Sequence, residues 1–172
     1  MIKLGFNEVS IYPNSGIIWS NNGTVTFHGN CIIGNASSIT VSRSGHLTIG
    51  NNVHATAKFK VLCYHKVVIG SHTLIGWDNT ISDTDFHSIY FNDKKTKGYD
   101  KVIIGSHNWL AMECLVLKGS QTPDYCVLSA RTMLNKDFSN EGEKILISGQ
   151  PAKVMVKNIY HDRYDDKIEY EL

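Results

Sequence analysis

Every sixth residue through two stretches of this 172-residue chain is aliphatic or close to it. The first series is Ile69, Ile75, Ile81. The second is Ile104, Leu110, Val116, Thr122, Leu128, Leu134. Four residues after most leads stands a small or turn-prone residue: Thr73 and Asn79, then Asn108, Cys114, Ser120, Cys126 and Thr132. Gly follows the lead in Ile69-Gly70, Ile75-Gly76 and Ile104-Gly105. Neither helical nor simple strand periodicity generates a beat of six. A fixed short repeat specifies a solenoid, in which each unit buries its lead residue against the next coil.

A hexad accommodates one short strand and a tight turn, and has no room for a helix. Three hexads close one triangular coil, and neighbouring coils pair as parallel strands. The lead points inward, and the turn position wants a small side chain because two faces of backbone meet there. Earlier hexads are less regular: Ile33-Gly34 leads to Ile39, and Ile49-Gly50 leads to Ala55 and Val61. These offsets predict small deletions and insertions at corners. A β-sandwich would produce such a run of leads only by coincidence. The expected fold is therefore mainly β, a parallel β-helix of hexapeptide coils over about residues 9–150 within one domain, 1–172. A tail, 151–172, follows; Ile145–Ser148 reads as a last strand, and the charged end from Asn158 reads as a short helix or a frayed terminus.

The beat has one long interruption between its two regular stretches. After Ile81 the next lead position holds His87, and the pattern resumes only at Ile104. The polar text between, about residues 83–100, predicts a loop thrown out from the solenoid wall. Loops on rigid scaffolds are favoured places for binding and catalysis.

Composition narrows the partners. With 17 basic and 16 acidic residues the net charge is +1, and no basic run of the nucleic-acid type occurs. No apolar run reaches membrane-spanning length, and Met1–Gly5 does not read as a signal peptide. The four Cys lack paired spacing, which suits a reducing cytoplasm.

The chemistry concentrates in Asp83-x-Asp85-x-His87. A histidine titrates near neutrality and suits the task of taking a proton from a reacting group. His87 is the candidate base. In an extended segment Asp83, Asp85 and His87 point the same way. Asp85, the nearer acid, is the candidate orienter of the imidazole, and turn capping is the competing role for either Asp. Trp109, after the loop, offers a large face and an indole N–H to a ligand. Tyr90, Phe91 and Tyr99 in the loop offer aromatic rings to a ligand, with loop packing on a neighbouring subunit the competing role.

Three motifs carry a resemblance: Asp83-x-Asp85-x-His87; Ile104-Gly105-Ser106-His107-Asn108-Trp109-Leu110 leading to Val116-Leu117-Lys118-Gly119; and Gly149-Gln150-Pro151-Ala152-Lys153. Together they resemble the hexapeptide-repeat O-acetyltransferases of the left-handed β-helix fold. The branch is the one that acetylates capsule and other surface-polysaccharide sugars, including the sialic acid O-acetyltransferases. The resemblance implies a homotrimer with acetyl-CoA held between subunits, a sugar or oligosaccharide acceptor and no metal. It places His87 as base, with Asp85 and Trp109 beside it in the catalytic set and Asp83, Trp109 and Tyr90 toward the acceptor. Ala111, Lys118, Gly119, Ser129, Arg131, Pro151, Ala152 and Lys153 fall along the cofactor, with a backbone N–H near Ala111 as an oxyanion donor and the basic residues toward phosphates. The chain departs from the pattern at Ala111, where the family has Gly, and at Thr122-Pro123-Asp124 and Ser129-Ala130-Arg131. Other readings stay open: an amine or other small-molecule acceptor, a γ-carbonic-anhydrase-like zinc site using His54, His65, His72 or His107, and a non-catalytic scaffold.

Overall fold

The structure, a computed structural model, describes residues 1–9 and 16–165. The strands follow one another around three faces in strict rotation. The first face stacks Ile2–Phe6, Cys31–Gly34, Val53–Ala55, Leu74–Ile75, Trp109–Leu110, Val127–Leu128 and Ile145–Gly149. The second stacks Ile17–Asn21, Ser37–Val41, Lys60–Cys63, Thr80–Ser82, Leu115–Val116 and Met133–Leu134. The third stacks Thr24–Phe27, His46–Ile49, Lys66–Ile69 and Val102–Ile104, and single parallel bridges from Ile103 to Gln121 and on to Asp137 continue it. The chain is a parallel β-helix.

The six-residue beat becomes three inward columns. On the first face Ile33, Ala55, Ile75, Leu110, Leu128 and Ile147 pair coil upon coil. On the second, Ile39, Val61, Ile81, Val116 and Leu134 do so, and on the third, Ile49, Ile69 and Ile104. All are buried, and each aliphatic side chain removed from water contributes roughly 1.5–3 kcal/mol. Thr122, the weak lead, is buried too; its hydroxyl accepts from the Gly105 amide at 3.1 Å and from Asn108 Nδ2 at 2.6 Å, so the polar atom has partners.

The turn positions are buried as well, and their polar members brace adjacent coils. Asn79 Nδ2 donates to Gly76 O and Ala111 O, both at 2.7 Å, and its Oδ1 accepts from the Cys114 amide at 2.9 Å. Asn108 Oδ1 accepts from the Cys126 amide at 2.6 Å. The residue before each turn position adopts positive φ: Asp78, Glu113 and Arg131 at one corner, His72, His107 and Tyr125 at another. That geometry turns each amide toward a carbonyl of the preceding coil, as in His107 N to Ser71 O and Tyr125 N to Ser106 O, 2.8 and 2.9 Å.

Both ends differ from the sequence expectation. Parallel pairing already begins at Ile2, opposite Cys31, well before residue 9. At the other end Ala152–Lys157 folds back antiparallel on Ile145–Gly149, so the first part of the tail is strand. Beyond it the chain lies as a strap along the His72–His107–Tyr125 corner, and the last described residues form a 3-10 turn, Arg163–Asp165. Tyr164 Oη meets His72 Nδ1 at 2.7 Å, and Tyr160 meets Tyr125 edge-on at 6.2 Å. The rest of the charged end, 166–172, lies outside the described residues.

Candidate active site

The loop leaves the second face after Ser82 and rejoins the third at Val102. Its tip is a small hairpin, Tyr90–Phe91 against Lys94–Lys95. Its neck is closed by the Thr84–Tyr99 bridge, by Asp85 N to Gly98 O at 2.8 Å and by Asp100 N to Asp83 O at 3.0 Å. His87 stands exposed just past this neck, in a cavity of about 280 Å³ lined also by Thr84, Phe86, Lys95, Lys97 and Tyr99.

The three motif residues do not share a direction. Phe86 takes φ +62° and breaks the alternation. Asp83 is wholly buried, and its carboxylate oxygens accept from the Tyr64 and His65 amides at 2.8 and 2.7 Å. It caps the neighbouring coil's corner and has no exposed surface for a substrate, contrary to the sequence expectation. Asp85 turns away from His87: its Oδ2 pairs with Lys118 Nζ at 2.9 Å. Lys118 Nζ also donates to the Lys97 carbonyl at 3.0 Å. Two residues expected in different roles, imidazole orienter and phosphate ligand, are instead paired and clamp the loop base to the coil beneath it.

Trp109 lies on the outer side of the first face, half-buried, its ring 5.1 Å from that of His161 in the strap. Beside it runs an apolar groove of about 210 Å³ formed by Gly76, Trp77, Trp109, Ala111, Met112 and Ala130. Small residues floor it: a Cβ on Gly76 would come within 3.0 Å of the Ala111 backbone. Within one chain His87 and Trp109 line separate cavities on different parts of the prism.

The other expected cofactor residues spread along this side and the terminal coils. The Ala111 N–H itself donates to Leu128 O at 2.9 Å within the sheet. Ser129 Oγ bonds Ser148 Oγ at 2.6 Å. Arg131 Nε meets Glu113 Oε2 at 2.7 Å on the exposed corner. Gly119, at φ +77°, turns the chain behind Lys118. Pro151, after a cis peptide bond, and buried Ala152 form the tight turn that carries the exposed Lys153, and Gln150 Nε2 ties that turn to Arg131 O at 2.7 Å. Tyr90, at the hairpin tip, is largely exposed.

Sequence reasoning missed the partners of the His87 neck. Tyr64 packs edge-on against Phe86 at 4.9 Å and His65 against Tyr99 at 5.0 Å. The signal was an acid at Asp83 one coil beyond Tyr64-His65, a relation visible only once coil lengths are known. His72 and His107, weighed as zinc ligands, stack face to face at 4.7 Å, and His107 stacks on Tyr125 at 4.5 Å. The His72 imidazole is pushed below its ordinary pKa by desolvation, then by the nearby His107 and Arg163 charges. Among the described residues no group of three His, Cys, Asp or Glu is placed to hold a metal ion.

All four cysteines are buried and free. Burial pushes the Cys114 thiol up to about 11, and burial followed by the Asp83 charge pushes Cys63 up to about 12. Thiolate is the nucleophilic form. A disulfide reagent at mildly alkaline pH should therefore titrate none of the four in the native protein and all four after denaturation. Rapid, stoichiometric modification of native Cys114 would reopen a covalent acyl-enzyme.

The chain's likenesses agree with this architecture. No family model matches. An uncharacterized 24.8 kDa protein in the cps region of Klebsiella pneumoniae is 27% identical over 157 residues, covering 91% of this chain and 69% of its own length. The polysialic acid O-acetyltransferase OatWY is 27% identical with a TM-score of 0.60, over 90% of this chain and 77% of its own. The polySia specific acetyltransferase NeuO superposes with a TM-score of 0.66 at 21% identity, over 88% and 76%. The N-acyltransferase AntD from Bacillus cereus, in complex with dTDP and 3-hydroxybutyryl-CoA, gives 0.64 at 16%, over 90% and 82%. The chain has the fold of the hexapeptide-repeat acyltransferases.

Proposed function

We propose that this protein is an acetyl-CoA-dependent O-acetyltransferase that modifies a sugar hydroxyl in surface-polysaccharide biosynthesis. The observation that carries the reading is His87, presented in a cleft where the loop interrupts the hexad beat between Ile81 and Ile104. The likeness to OatWY and the cps-region relative support a sugar acceptor.

His87 takes the proton of the acceptor hydroxyl as its oxygen bonds to the thioester carbonyl carbon. Collapse of the tetrahedral intermediate breaks the C–S bond, and the imidazolium returns its proton to the departing CoA sulfur. The pantetheine arm fits the apolar groove beside Trp109, and Lys153 suits the phosphates at its far end. Because His87 and Trp109 lie apart in one chain, the complete site takes His87 from one copy and the Trp109 groove from its neighbour, consistent with a homotrimer. No helix among the described residues is long and apolar enough to cross a membrane, and the proposed place of action is the cytoplasm, where acetyl-CoA is made. The second reading, transfer to an amine, follows from the likeness to AntD, and the two separate when hydroxy and amino sugars are offered as acceptors.

Calorimetric titration with acetyl-CoA tests the proposal. Saturable binding near one molecule per subunit is the expected result. No binding would overturn it and shift weight to a scaffold role.

A further inference from the structure

The cavity around His87 does not end at the loop. It shares Thr84 and Tyr99 with a second cavity of about 340 Å³ that adds Ser44, Tyr64 and His65. That one shares Tyr64 with a third, of about 490 Å³, which reaches Arg43, Thr40 and Ser20. In the sheet Ser20 pairs with Thr40, Thr40 with Leu62, and Leu62 with Ser82, so the surface crosses three coil steps toward the N-terminus. At roughly 4.8 Å per step that is about 14 Å, longer than one sugar ring.

Its chemistry has one sign. Arg43, His65, His87, Lys95 and Lys97 line the three cavities, and among the described residues no Asp or Glu does. Of the acids at the neck, Asp83 lies under backbone amides and Asp85 on Lys118, while the exposed Asp100 accepts from the Lys101 amide at 2.8 Å and lines none of the three cavities. A cleft lined by one charge concentrates the opposite one. Tyr64, 37% exposed, offers an aromatic ring to a sugar, and Tyr99, 45% exposed, carries the Lys97 ammonium 4.8 Å over its ring, with Ser and Thr hydroxyls beside them. The wall is fixed in place: Ser42 and Ser44 hydroxyls donate to Tyr64 O at 3.2 and 3.0 Å, and Asp83 holds the next two amides.

We infer that this surface is an acceptor subsite for an extended, negatively charged oligosaccharide, with Arg43 and Tyr64 as specificity-determining residues remote from the acetylated sugar. The inference rests on the acyltransferase reading for where the reacting hydroxyl sits. The groove itself is read from its lining.

The test measures binding without acetyl-CoA, using polysialic acid and oligogalacturonide fragments from monomer to octamer and a neutral dextran ladder. Affinity for at least one acidic ladder should rise with length and fall with added salt. Arg43→Gln should weaken the octamer about tenfold, the effect of losing one charge-assisted contact, and leave the monomer unchanged. Tyr64→Ala should do likewise. Lys136→Gln, outside the groove, should match the wild type. Binding of neither acidic ladder, equal binding of dextran, length-independent affinity, or wild-type octamer affinity in both Arg43→Gln and Tyr64→Ala would overturn the subsite. Acetyl-CoA binding is scored separately, so the acyltransferase reading and the subsite fail independently.

Discussion

His87→Ala should lower acetyl transfer by about 10²–10⁴-fold, the usual contribution of a positioned general base. The same variant should keep its thermal midpoint and its acetyl-CoA affinity. The structure explains that separation. His87 is exposed on a loop, its ring has no hydrogen bond among the described residues, and the neck is held by Thr84–Tyr99 pairing and the Asp85–Lys118 ion pair without it. Removing an exposed side chain with no structural partner changes stability little. His87→Gln sharpens the result, because an amide can hydrogen-bond a hydroxyl but cannot carry away its proton. If positioning were the role, Gln would restore much of the rate. If proton transfer is the role, both variants are equally slow. Retained turnover in His87→Ala, measured as CoA release in the presence of an acceptor, would remove the assignment.

The fold was legible because a solenoid repeats one local problem. Every coil must bury a lead and seal a corner, so the same solution recurs at Ile75, Leu110 and Leu128 and can be read without distant contacts. Even Thr122 kept the beat, since a hydroxyl can be buried where Asn108 and a backbone amide meet it. The candidate site was legible only as a place. The break at His87 marked the loop, but the roles of its neighbours depend on which way each side chain leaves a backbone that no longer repeats. Phe86 at positive φ ends the alternation that aligned Asp83, Asp85 and His87. Lys118 was read toward a phosphate because nothing in the sequence shows that coil passing beneath the loop. The strap was illegible for the same reason: His161 on Trp109 and Tyr164 on His72 join residues 52 and 92 positions apart, through contacts that no period encodes.

Asp83→Ala should cost about 3 kcal/mol, the largest stability effect we expect in the loop motif. Hydrogen bonds to a charged acceptor contribute about 1.5–3 kcal/mol each, and a buried donor left unpaired costs about 1–3 kcal/mol. Asp83 is fully buried and takes two amides, Tyr64 and His65; water entering the vacated space recovers part of the loss. For a chain of this size the midpoint should fall by roughly 6–12 °C in thermal unfolding. Asp83→Asn retains one carbonyl acceptor but turns an N–H toward the other amide, so its midpoint should lie between. The pair of variants also separates structure from chemistry in the motif. A residue serving only the reaction would leave the midpoint where it was, whereas Asp83, fixing the corner that presents Tyr64 and His65 to the His87 loop, should move stability first and acceptor recognition with it. An unshifted midpoint in Asp83→Ala would mean that the corner holds without its cap, and the acid would return to candidacy as a substrate contact.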